Sequence, residues 1–176
     1  FDTLTGAAKR LGPAIAGALT ISAIQSVTSM AKELQNLSRI AGLSVEEFQV
    51  LSATTKRFGI DQEKLSDILK DVNDRIGDFA QTGGGPLKDF MENIAPAVGL
   101  TIDELQRMSS SQALQAIIST LEATGASAAD TTFYLEAIAS DATALAPAFA
   151  KGGAAIDEMS KNLDEMGGVL SGDDIN

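Results

Sequence analysis

Three copies of one short phrase punctuate this chain: GLSVEEF from Gly42, GIDQEKL from Gly59 and GLTIDEL from Gly99. Each runs glycine, an aliphatic residue, then Ser, Asp or Thr, then acids and an apolar residue. Glycine enters the left-handed backbone region without a Cβ clash, which suits the position just past a helix C-terminus. Ser44, Asp61 and Thr101 are good N-caps for the helix that follows. Glu47 and Glu104 stand three residues after Ser44 and Thr101, the spacing of a capping box. Lys64 holds that place in the middle copy, so Asp61 caps alone, with Glu63 favoured by the helix dipole. The aliphatic residue can staple to the residue five places on: Leu43 to Phe48, Ile60 to Leu65, Leu100 to Leu105. The phrase ends one helix, turns, and starts another. A fainter fourth copy is Gly125, Ala126, Ser127.

Hydrophobic spacing fills in the helices between these corners. Val27, Met30, Leu34, Leu37 and Ala41 alternate steps of three and four, which predicts one apolar seam on a long helix over 14–41. A seam without a partner would stay wet, so Val27, Met30, Leu34 and Leu37 are expected to bind copies of the chain or a chaperone. Further helices are expected over 45–58 and 62–80, the latter with Leu65, Ile68, Leu69, Val72, Ile76 and Phe79 on one face. Gly83-Gly84-Gly85 is a break, and Pro86 suits the first turn of the next helix. Ser109 and Gln112 have capping-box spacing and open a helix through Leu121. Two more helices are expected over 128–139 and 154–166, with Pro147 and Gly152-Gly153 interrupting the Ala-rich stretch between them. No stretch alternates with period two for long. The expected fold is all-α: an array of short helices joined by Gly-capped turns after one long N-terminal helix. The expected organisation is that helix over 1–41, a helical domain over 42–168 and a C-terminal tail over 169–176.

The composition removes several chemistries. The 176 residues include no Cys and no His, hence no thiolate nucleophile, no imidazole base and none of the usual zinc ligands. Net charge is −11, which repels phosphates, so specific nucleic-acid binding is not expected. The basic pairs Lys9-Arg10 and Lys56-Arg57 are isolated and read as solvated surface. The glycine run lacks the Lys-Ser/Thr ending of a phosphate loop. Asp71, Asn73 and Asp74 begin like a calcium loop, but Ile76 and Thr82 stand where its Gly and Glu belong. Glu46 and Glu47 are better explained by a helix start than by acid–base work. No catalytic residue, cofactor or metal site is expected. The stretch 11–31 is uncharged and long enough to span a bilayer, although Thr20, Ser22, Gln25, Ser26, Thr28 and Ser29 dilute it.

From 32 to 156 the chain resembles the helical region of phage tail tape measure proteins. The residues that carry this are KELQNLSRIAGLSVEEFQVL, FGIDQEKLSDILKDVNDRI, the glycine-rich break, VGLTIDELQRMSSSQALQAII and ALAPAFAKGGAAI, followed by EMGGVLSGDDI. Their order and spacing match over about 70% of the chain. The stretch 126–142 departs from the pattern, lacking an aromatic–Gly–x–Gly step. The resemblance implies a structural, non-enzymatic virion protein that lies in the tail lumen and sets tail length during assembly in the host cytoplasm. It also implies contact with copies of itself, tail-tube and tail-tip proteins and assembly chaperones, contact with the host membrane, and expulsion with the DNA. Two other classes remain open from the residues: a membrane-perforating helical protein built on 11–31, and a wall-degrading enzyme domain.

Overall fold

The computed structural model describes residues 21–166, 168 and 169. They form eight α-helices and no strand: α1 Ile21–Ala41, α2 Val45–Lys56, α3 Gln62–Thr82, α4 Lys88–Asn93, α5 Ile102–Arg107, α6 Ser110–Ala123, α7 Ala128–Ile138 and α8 Ala146–Met166. Two 3₁₀ turns, Ala95–Ala97 and Ala142–Leu145, link α4 to α5 and α7 to α8. The fold is all-α, as the corner phrases and the helical spacing predict. Pro86 precedes the α4 N-cap residue, Leu87, instead of sitting in the first helical turn.

The centre of the molecule is α3. Leu65, Ile68, Leu69, Val72 and Ile76 are buried along one face, and the helix packs against α1, α2, α5, α6 and α7. Burying one such side chain contributes about 2 kcal/mol. A second layer forms where α8 lies across α2 and α6, with Leu51, Leu114, Ile117 and Phe149 fully covered.

The four corners share one geometry, the Schellman motif. Gly42, Gly59, Gly99 and Gly125 have φ of 73°, 79°, 75° and 69°. Each glycine N–H bonds a carbonyl three residues back. The next residue's N–H bonds a carbonyl five back: Leu43 to Ser38 at 2.9 Å, Ile60 to Thr55 at 3.2 Å, Leu100 to Ala95 at 3.1 Å and Ala126 to Leu121 at 3.0 Å. The aliphatic residue thus serves both helices, since Ile60 is buried while Leu43 and Leu100 pack against the same core. Ser44, Asp61, Thr101 and Ser127 then accept from the backbone N–H three residues on.

The seam on α1 is divided. Leu34 and Leu37 are buried in the chain's own core with Ala41, whereas Met30 is 67% exposed. The expectation that all four residues face a separate partner is therefore corrected: Leu34 and Leu37 are buried in the chain's own core, where α1 packs against α2 and α3. The Val27 side chain lies outside what is described. The C-terminal end of α1 is tied down by polar side chains. Ser66 Oγ donates to Leu37 O at 2.9 Å, and Asn73 Nδ2 to Ala41 O at 3.4 Å. Ser110 Oγ also donates to Ala41 O. Ser66 and Ser110 are buried because these bonds satisfy them. Among the described residues no helix is long and apolar enough to cross a membrane. Residues 11–20 of the uncharged stretch lie outside the described part.

Candidate functional site

A concavity forms where α8 breaks. Ala150 is extended (ψ 152°), and Lys151, Gly152 and Gly153 follow with φ of 55°, 70° and 83°. Two side chains of α6 hold this bend. Gln115 Nε2 donates to Phe149 O at 2.8 Å, and the Glu122 carboxylate accepts from Lys151 N at 3.4 Å. A Cβ on Gly153 would meet Gln115 Oε1 at 2.7 Å, so a side chain here would have to displace Gln115 as well as adopt a left-handed backbone. Beside the bend lies a groove of about 720 Å³ lined by residues of α2, α6 and α8.

Apolar residues make its walls: Val50 and Leu51 from α2, Met108 and Ala116 beside or on α6, Phe149 and Ile156 from α8. Such a volume is in the range of ligand sites. Two carboxylates stand among these residues, Glu47 on α2 and Asp157 on α8. Glu47 Oε1 accepts from Ser109 Oγ at 3.1 Å and from Ser111 Oγ. Neither Glu47 nor Asp157 pairs with a cation among the described residues, where the ion pairs include Lys64–Asp141, Lys70–Asp74 and Lys88–Glu92. The groove is an apolar trough that carries two carboxylates with no ion-pair partner among the described residues.

Glu47 does not reach back to its own N-cap. Ser44 Oγ accepts from Glu47 N at 3.1 Å, but the Glu47 carboxylate crosses to the start of α6. The expected capping box at Ser44 is half formed, because two hydroxyls on a packed neighbour outbid one backbone N–H. The box at Thr101 and Glu104 is complete, as is the one at Ser109 and Gln112. Asp61 caps α3 through Lys64 N at 2.8 Å. Of the corner positions Gly42, Ser44, Glu47, Gly59, Asp61, Gly99, Thr101 and Glu104, Glu47 alone lines the groove. The others sit at three separate corners and are not brought together.

Sequence reasoning missed the Ser109–Ser111 tie to Glu47 and the complete box of Ser127 with Asp130. The second had a signal, since Asp130 has the required spacing from Ser127. The box hydrogen bonds hold two carboxyls below their ordinary range: Glu104 through the N–H and then the hydroxyl of Thr101, Asp130 through the hydroxyl and then the N–H of Ser127. Among the described residues no group of three or more acids could hold a metal ion. A smaller hollow near Asp61, Lys64, Asp67 and Asp71 is crossed by the Lys64–Asp141 ion pair at 3.0 Å. Compared with protein-family models, curated proteins and solved structures, the chain has no significant match.

Proposed function

We propose that this chain is a folded, non-catalytic segment of a phage tail tape measure protein, acting in the tail lumen by packing against copies of itself, tail-tube and tail-tip proteins and assembly chaperones. The ordered set of segments from KELQNLSRIAGLSVEEFQVL to EMGGVLSGDDI carries this proposal. The absence of Cys and His is in keeping with it. Met30 is the exposed part of the α1 seam that remains for such packing.

A tape measure can count length as a straight helix, at about 1.5 Å per residue. The corners argue for a second mode, a folded unit that adds little length. Mass spectrometry of purified tails is expected to detect the chain, and its absence from tails overturns the proposal. In-frame deletion of residues 31–166 from the parent gene then separates the modes. A straight rod shortens tails by roughly 200 Å. A folded unit changes them far less or blocks assembly.

A further inference from the structure

The groove between α2, α6 and α8 combines apolar walls with two carboxylates that form no ion pair among the described residues. Its natural occupant is a short segment with apolar side chains and adjacent positive charges. This chain carries such a segment outside the described residues: 4–12, LTGAAKRLG, with Leu4 and Leu11 around Lys9-Arg10. The other undescribed end, 170–176, has Asp173 and Asp174 and would be repelled.

The segment cannot easily serve its own groove. The groove lies at the Ala41 end of α1, because Ser110, which bonds Ala41 O, adjoins Ser111 in its wall. Residue 12 precedes the opposite end of α1, and α1 is about 30 Å long. The nine Cα steps from residue 12 to Ile21 span at most about 32 Å, so the segment would reach its own groove only when fully stretched. A second copy meets no such limit. We propose that residues 4–12 of one copy dock in the α2/α6/α8 groove of the next, with Lys9 and Arg10 facing Glu47 and Asp157. Such a contact is heterologous and leaves one segment and one groove free, so copies add head to tail. This pairing rests on the groove and the charges of the chain and stands apart from the tail proposal.

Sedimentation velocity of the 176-residue chain at low salt tests it. Wild type should form a concentration-dependent series of oligomers that high salt disperses. Lys9→Glu/Arg10→Glu alters residues outside the described body and should leave monomers with unchanged helical circular dichroism. Asp157→Lys, on an exposed site, should weaken association at least tenfold. Because the chain has no cysteine, Ser160→Cys gives a single thiol in the groove wall. Its labelling should slow as protein concentration rises, and the Lys9→Glu/Arg10→Glu change should abolish that slowing. Wild type that stays monomeric overturns the proposal, as do oligomers that both charge variants leave intact. Protection of the Ser160→Cys thiol that is independent of concentration would show an intramolecular contact and overturn the second-copy assignment.

Discussion

Ser109 Oγ donates a hydrogen bond to Glu47 Oε1 at 3.1 Å, across 62 residues of chain. Ser111 donates to the same oxygen. This bridge, and not the local cap, is where the Glu47 carboxylate acts. Glu47→Ala should cost about 1.5–3 kcal/mol, the usual value for hydrogen bonds to a charged group. A double-mutant cycle of Glu47→Ala with Ser111→Ala should give a coupling of about 1 kcal/mol, and one with Ser44→Ala close to zero. The reverse pattern in urea unfolding would restore the local capping box.

Two corner glycines differ in their surroundings. A Cβ at Gly99 meets nothing within 4 Å, so Gly99→Ala carries only the left-handed backbone cost, about 1–2 kcal/mol. At Gly42 a Cβ would stand 2.7 Å from Asn73 Nδ2, which bonds Ala41 O. Gly42→Ala should therefore cost more than Gly99→Ala, and the excess should vanish in an Asn73→Ala background. Equal losses in both backgrounds would show that Asn73 does not constrain the corner.

Lys151 adopts φ of 55° without being glycine. Lys151→Gly should raise stability by up to about 1 kcal/mol, since it relieves the left-handed strain at an exposed site. Gly153→Ala should lower it, because the new Cβ displaces Gln115 from its bond to Phe149 O. Thermal melts of the two variants shifting in the same direction would contradict this account of the bend.

Glu104 and Asp130 have folded-state pKa values below their ordinary ones. A depressed carboxyl contributes stability above its unfolded pKa, about 4, and loses it as pH falls through the folded value. Melting temperature should thus drop on acidification below about pH 4.5. Glu104→Gln keeps an acceptor for Thr101 but cannot titrate, so it should remove part of that drop. Melts of wild type and Glu104→Gln that fall in parallel would assign the acid sensitivity elsewhere.

The corners were legible because each is written within about ten consecutive residues. Gly42 to Phe48 holds the turn, the cap and the staple together, and the backbone needs nothing distant to form them. What was not legible depends on packing. The spacing of Leu34 and Leu37 marks them as apolar on one helix face, but only the third dimension shows that the chain's own core covers them. Glu47 has the position of a box residue, and Ser109 and Ser111 compete for it only after α6 docks on the rest. The glycine pair at 152–153 marked a break in α8, yet the bend takes in Lys151 because Glu122 and Gln115, far earlier in the sequence, hold it.

The local character of the corners favours their closing early in folding. Hydrogen bonds that reach back no more than five residues close with little loop entropy, and short helices form in roughly a microsecond. The placement of α8 on α2 joins parts of the chain a hundred residues apart, and such non-local contacts carry the larger loop-closure cost. The groove has one wall from each of these parts. It exists only once the whole body has assembled, so a partner that needs the groove cannot engage a half-folded chain.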